Sequence, residues 1–340
     1  ACGGALGACE GRWREAVGLL AGAREEGLQP SAVCCSAAIA VCGRCGRWQF
    51  SVLSLTDVHG GRRHKHHTVV PGVPESYNAA IASCERSGQW QLALLLLGLL
   101  RRRRLPARTA AFNSAISACE KGQQPARAMV LLGEMREAEA PPDVITYNAV
   151  ISACEKGELW EQALGFLSEM RREAVRRDVV SYNAAVSACE KGHCWPVALG
   201  LLEGLTSGGL TPDMHSYSAT ASACEKGERW EDALSLLEES LKATCRLSVQ
   251  TYSAVLSACE SCHRWPAAVL LLRRTLRDGA EPDTITYSSA ASACEKGLRW
   301  RDASALLGEL SLAGCEPGVQ GCNAALLACS GAGRWREGLA

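Results

Sequence analysis

A chain of 340 residues that is 47% hydrophobic, 21% charged and 5% aromatic has enough apolar material for a large core, which excludes a fully disordered chain. Lys+Arg and Asp+Glu both number 36, so the net charge is zero and binding to nucleic acid or membrane by bulk positive charge is not expected. No run of 18 or more apolar residues exists, so no membrane-spanning helix is expected either.

The sequence repeats. Cys84, Cys119, Cys154, Cys189, Cys224, Cys259, Cys294 and Cys329 are each 35 residues apart, and Cys42 precedes Cys84 by 35 plus 7. All nine Trp form one column, eight of them six residues after a column cysteine, with Pro125 in the remaining place. All six Tyr form a second column, from Tyr77 to Tyr287, with Phe112 filling its gap. A fixed period of this length marks a stacked array and overrides the two or three domains that length alone suggests.

In chain order, residues 1–31 are a partial unit and 32–73 a degenerate unit with a seven-residue insertion. Seven full units follow: 74–108, 109–143, 144–178, 179–213, 214–248, 249–283 and 284–318. Residues 319–340 are a unit that stops early. The start at Ala1 rather than Met leaves open that the chain is a fragment.

Each unit predicts two helices. In 144–178 the stripe Tyr147, Val150, Ile151, Cys154 has helical spacing, and Trp160, Ala163, Leu164, Leu167 and Met170 make a second. Thr146 suits an N-cap, with Ser181, Ser216, Thr251 and Thr286 in the same place. Gly122, Gly157, Gly192, Gly227 and Gly297 suit a left-handed position just past the first helix. Two short amphipathic helices cannot bury their faces alone. The expected fold is therefore all-α, an α-solenoid forming a right-handed superhelix of about nine stacked helix-turn-helix pairs.

The unit from Val144-Ile145-Thr146-Tyr147-Asn148 through Cys154, Lys156-Gly157, Trp160, Ala163-Leu164 and Glu169-Met170 to the closing Asp178 closely resembles the pentatricopeptide repeat, in its plain 35-residue class. The resemblance runs over nearly the whole chain. It implies sequence-specific binding of single-stranded RNA, one base per repeat. It further implies that the fifth and last residues of each unit read the base. These are Asn78 with Arg108, Asn113 with Asp143, Asn148 with Asp178, Asn183 with Asp213, Ser218 with Ser248, Ser253 with Asp283, and Ser288 with Gly318. By the family's pattern, Asn with Asp implies uracil and Ser with Asp guanine, giving a core of U-U-U-N-G from 5′ to 3′. The bases opposite 74–108, 214–248 and 284–318 stay undetermined. The second residue packs on the base face; Ile145, Val180 and Ile285 suit this, whereas Glu75 does not. By resemblance the work is in organellar RNA processing, stabilisation or translation, in mitochondrion or chloroplast, with recruited protein factors possible as partners.

Residue chemistry agrees with base reading. An Asn amide offers both donor and acceptor, and Ser a shorter version. The closing Asp can hold that amide in one orientation. The eleven residues opening each unit are free of Lys, Arg, Asp and Glu in all full units but 74–108, where Glu75 stands. Arg86, Lys121, Lys156, Lys191, Lys226 and Lys296 then form a column suited to phosphates, interrupted by Ser261. Helix-end dipole compensation explains any one of these lysines equally well.

The Cys column reads as a small buried hydrophobe and the Trp column as core. Cys42-x-x-Cys45 and Cys259-x-x-Cys262 with His263 have metal-like spacing, but their first members belong to the packing column, and no metal or cofactor is expected. Cysteines one repeat apart are poorly placed for disulfides, so a reducing compartment is expected. The tract Arg62 to His67 reads as a solvated insertion, and Arg101 to Arg104 as a solvated helix end. No catalytic constellation is present in the sequence, so the expectation is a monomeric binding protein, not an enzyme. The alternatives are a peptide-binding scaffold, or a degenerate repeat copy without specific RNA binding.

Overall fold

The computed structural model describes residues 13–25, 32–53, 73–103, 105–243, 248–277, 282–312 and 318–333. They divide into two compact units, 1–177 and 178–340. The tract Arg62 to His67 and Trp335 lie outside the described residues.

The first unit holds α1 (Trp13–Glu25), α2 (Ala32–Arg44), α3 (Val73–Arg86), α4 (Trp90–Arg102), α5 (Thr109–Lys121), α6 (Pro125–Glu137), α7 (Val144–Lys156) and α8 (Trp160–Arg172), with 48–53 also helical. The second holds α9 (Val179–Lys191), α10 (Trp195–Ser207), α11 (Met214–Lys226), α12 (Trp230–Lys242), α13 (Val249–Ser261), α14 (Trp265–Arg277), α15 (Thr284–Lys296), α16 (Trp300–Leu312) and α17 (Val319–Gly331). No strand occurs among the described residues.

Both units are stretches of α-solenoid. The first helix of each repeat packs on the first helix of the next: α3 on α5 on α7 in one unit, α9 on α11 on α13 on α15 on α17 in the other. Within each unit, second helices pack on their own partners and on the next first helix, as α6 does on α5 and α7. First helices thus have neighbours on several sides. In α7 the buried set is Thr146, Tyr147, Ala149, Val150, Ile151, Ala153 and Cys154. Second helices bury one narrow stripe: Ala163, Leu167 and Met170 in α8, with Trp160 and Leu164 only half-buried. Each such Leu or Met contributes about 1.5–3 kcal/mol on burial. The seven-residue insertion does not interrupt stacking. α2 packs directly on α3, where Ser83 Oγ donates to Ser51 Oγ at 3.1 Å and Ser51 Oγ to the Ile39 carbonyl at 3.2 Å.

Two expectations about helix ends are corrected. The N-caps are the closing residues of the preceding repeats: Asp143, Asp178, Asp213 and Asp283 sit in extended conformation, each with a carboxylate accepting a backbone N–H three residues on. Thr146, Ser181 and Ser216 are inside the helix and return the favour, completing a capping box with the N-cap N–H. A carboxylate on the extended residue is better placed to take the N3 N–H than a hydroxyl already within the first turn.

The glycine column also has a different cause. Gly122, Gly157, Gly192, Gly227 and Gly297 have ordinary φ, between −81° and −92°. The left-handed conformation falls on the next residue, at Gln123, Glu158, His193, Glu228 and Leu298. What demands glycine is the neighbouring repeat. A Cβ on Gly122 would lie 2.2 Å from Trp90 Cδ1, on Gly227 2.1 Å from Trp195 Cδ1, and on Gly297 2.3 Å from Trp265 Cδ1. Where Pro125 replaces Trp, the Cβ of Gly157 would lie 2.5 Å from its Cγ. The Trp column is therefore not fully buried core: Trp90, Trp195 and Trp265 are half-buried, and each lies against the bare glycine backbone that ends the next first helix.

Candidate nucleic-acid interface

In two repeats the closing residue and the fifth residue meet across the junction. Asn113 Nδ2 donates to Asp143 Oδ1 at 3.0 Å, and Asn183 Nδ2 to Asp213 Oδ1 at 3.0 Å. The same Asp oxygens accept the backbone N–H of Thr146 at 2.9 Å and of Ser216 at 2.8 Å. Each Asp therefore caps a helix and holds an amide at once. Burial pushes both carboxyls up, but the bonds from the Thr or Ser and from the Asn outweigh it and hold both below the usual carboxylate value.

The remaining pairs differ. Asn148 lies on α7 and Asp178 at the N-cap of α9, one in each compact unit. Ser253 Oγ turns back to donate to the Gln250 carbonyl at 2.9 Å, and Asp283 holds Thr286. Ser288 Oγ donates to the Ile285 carbonyl, and Gly318 caps α17 without a side chain. Ser248 caps α13 through its hydroxyl, with Ser218 half-buried on α11. Arg108 is the N-cap of α5 but makes no side-chain cap bond, and Asn78 lies half-buried on α3.

An open groove of about 410 Å³ runs over the first helices of the second unit, lined by Ser218 and Ser253 at fifth positions and by His215, Gln250 and Ile285 at second positions. The second residues Ile145, Val180 and Ile285 are 65%, 59% and 62% exposed, among the most exposed large apolar side chains described. The exposed apolar residues thus lie at second positions, and the groove takes in second and fifth positions together with Glu190 and Glu225.

The lysine column is not a bare line of charge. Lys121 pairs with Glu85 at 3.2 Å, Lys156 with Glu120 at 2.8 Å, Lys226 with Glu190 at 3.0 Å and Lys296 with Glu260 at 3.3 Å, each time the glutamate of the preceding repeat. A serine one turn earlier shares that carboxylate: Ser152 Oγ donates to Glu120, Ser222 to Glu190 and Ser292 to Glu260. Arg86 is exposed at the end of α3, and Lys191 ends α9. Sequence reasoning missed this Ser–Glu–Lys ladder, although Glu follows the column cysteine in every full unit. At Ser261 the ladder lacks its cation. Burial there pushes the Glu225 carboxyl up, opposed by a bond from Ser257 and by Lys226, and reinforced by Glu190 and Glu260.

Burial pushes the thiols of Cys84, Cys119, Cys154 and Cys189 up to about 11 and those of Cys224 and Cys259 to about 12, as for inert packing residues. No helix among the described residues is long and apolar enough to cross a membrane.

Stacked helix pairs with an open groove over their first helices define a helical-repeat protein. Models of the PPR repeat, the pentatricopeptide repeat domain and the PPR repeat family match residues 75–105, 100–157 and 142–191. The crystal structure of the pentatricopeptide repeat protein PPR10 from maize superposes with a TM-score of 0.69 at 26% identity, covering 96% of this chain and 46% of that one. PPR10 in complex with an 18-nt psaJ RNA element gives a TM-score of 0.69 at 18% identity, covering 95% and 46%. The chain thus spans under half the length of that relative. No match was found among curated proteins. The chain is a pentatricopeptide repeat protein.

Proposed function

We propose that this chain binds single-stranded RNA by sequence, one base per repeat, as a repeat protein of the plain 35-residue class. The observation that carries the reading is the hydrogen bond joining fifth and closing residues, Asn113 to Asp143 and Asn183 to Asp213. A carboxylate accepts only, so the Asn must turn its NH₂ towards Asp and keep a free edge for a base. The exposed Ile145, Val180 and Ile285 supply apolar surface for base faces. The maize relative has been crystallised with an RNA element, which is the same class of ligand.

The suggested core is U-U-U-N-G. The protein acts by occupancy, protecting or exposing its site or recruiting factors, without catalysis, in mitochondrion or chloroplast. Arg86, Lys121, Lys156, Lys191, Lys226 and Lys296 are the phosphate contacts. Because the lysines Lys121, Lys156, Lys226 and Lys296 are engaged by glutamates, the non-specific electrostatic component is small and base contacts carry more of the affinity.

Fluorescence anisotropy with a U-U-U-N-G oligomer, its scrambled sequence and the DNA analogue, at two salt concentrations, tests this. Tight binding to the first alone is expected. Equal weak binding to all three, abolished by salt, overturns it in favour of a protein-binding scaffold or a degenerate copy.

A further inference from the structure

A third residue completes the junction between Asn and Asp. Thr146 Oγ1 lies 2.6 Å from Asn113 Oδ1, and Ser216 Oγ lies 2.6 Å from Asn183 Oδ1. Each hydroxyl has one proton and two oxygen acceptors in reach, the second being Asp143 Oδ1 at 2.9 Å or Asp213 Oδ1 at 3.0 Å; the Met135 sulfur, at 4.0 Å from Thr146 Oγ1, is the weaker alternative. Those Asp oxygens already take a backbone N–H and an Asn Nδ2. The hydroxyl proton therefore goes to the Asn oxygen, at the shorter distance. Both ends of the amide are then tied, its nitrogen to Asp and its oxygen to Thr or Ser.

Unit 74–108 supplies the natural contrast. Its fifth residue is also Asn, but its closing residue is Arg108 and the third residue of the next repeat is Ala111, so neither tie exists. There Asn78 Oδ1 is buried without a hydrogen-bond partner. The same amide is held where Asp and hydroxyl are present and orphaned where both are missing.

We infer that the third residue of each repeat is a positioning residue for the base read by the repeat before it, with Thr146 acting on Asn113 and Ser216 on Asn183. This rests on the RNA reading above. Uracil presents an acceptor beside the N3–H donor, and cytosine presents a donor beside the N3 acceptor. An amide that can flip through half a turn matches either base. One tied at both ends keeps a single donor and a single acceptor free, in one order, and matches uracil only. Thr146 and Ser216 never touch the base; they decide which way the reading amide faces.

The test uses the full chain and U-U-U-N-G oligomers with single U-to-C changes. Thr146→Val removes the hydroxyl at constant shape. Its expected effect is a loss of roughly fivefold in U-over-C preference at the base opposite 109–143, the size of one net hydrogen bond. Preference at the base opposite 179–213 is unchanged, and Thr146→Ser retains the wild-type value. In the opposite direction, Arg108→Asp with Ala111→Thr builds the missing ties, and gives the base opposite 74–108 a U preference several-fold above that of Arg108→Asp alone. This second arm decides the matter even if Thr146→Val unfolds. A folded Thr146→Val with both preferences intact, or a double variant no better than Arg108→Asp, overturns the inference while leaving the RNA reading standing. A wild-type chain without base preference at any unit overturns the RNA reading, and this inference with it.

Discussion

In residues 178–340 the rings of Trp195, Trp230 and Trp265 each lie under the guanidinium of the next repeat: Arg229 at 4.5 Å, Arg264 at 4.7 Å and Arg299 at 4.4 Å. In residues 1–177 Arg47 covers Trp13 at 5.3 Å in the same register, but Gln124 and Leu159 hold the corresponding places further on. That unit ties its outer layer at the other end of the second helices. Arg101 pairs with Glu134, and Arg136 bridges Glu169 at 2.6 Å, Glu173 at 3.0 Å and the Tyr147 hydroxyl at 2.8 Å. The inner layer is alike in both units, down to the Asn–Asp–hydroxyl geometry. First helices are enclosed on several sides and must keep their side-chain volumes. Second helices face solvent, where a cation over a ring and an ion pair are interchangeable ways to fasten neighbours.

The largest effect tests what both units share. Gly227→Ala places a methyl 2.1 Å from Trp195, and overpacking of this kind costs about 1–3 kcal/mol. Gly133→Ala meets open space within α6 and is expected to stabilise by roughly 0.5–1 kcal/mol through helix propensity. Urea unfolding of the two variants reads the contrast directly; similar losses would show that the Trp–Gly contact is unimportant.

Next come the fastenings that differ. Arg136→Ala is expected to cost about 1 kcal/mol, and less at high salt, since ion pairs at half-exposed sites are screened. Arg264→Ala is expected to cost roughly 0.5–1 kcal/mol by loss of the cation over Trp230. Melting both variants against wild type in low and high salt checks whether the two outer layers differ in kind. A smaller gain is expected from Ser261→Lys, which restores the ladder at Glu225: a few tenths of a kcal/mol, seen as a raised Tm that shrinks with salt.

The smallest effect is pH-dependent and common to both units. The folded-state pKa values of Asp143 and Asp213 lie below their ordinary 3.8. Stability from a depressed carboxyl is present above the ordinary value and lost as pH falls through the folded one. Between about pH 5 and pH 3 the wild-type Tm should fall more steeply than that of Asp213→Asn, which cannot titrate there. Parallel curves would remove the capping boxes from the account of acid unfolding.

The repeat phase and the two helices per unit were legible because Cys, Trp and Tyr recur in register, and periodicity is a local signal. The fifth-and-last pairing was visible only through family resemblance, since no spacing in the sequence says that residues 30 apart touch. The caps are ambiguous in sequence because Asp143 and Thr146 are both capping residues, and a reciprocal box uses both. The glycines suggest left-handed backbone because that rule is local, whereas their cause, a tryptophan 32 residues earlier, is not. The glutamates of the ladder carry no local signal for the same reason. Their partners, 32 and 36 residues away, become neighbours only once repeats are stacked.

Because a closing Asp also caps the next helix, the site proposed to read one base straddles two repeats. Its borders are not those of the 35-residue period. A shuffling event cut between residues 143 and 144 gives Asn113 and Asp143 whatever third residue the incoming repeat brings. Cuts before Asn113 and after Thr146 move the site whole. Grafting or duplication along this chain therefore transfers a reading letter intact only when the joint is displaced from the boundary that the sequence repeat suggests.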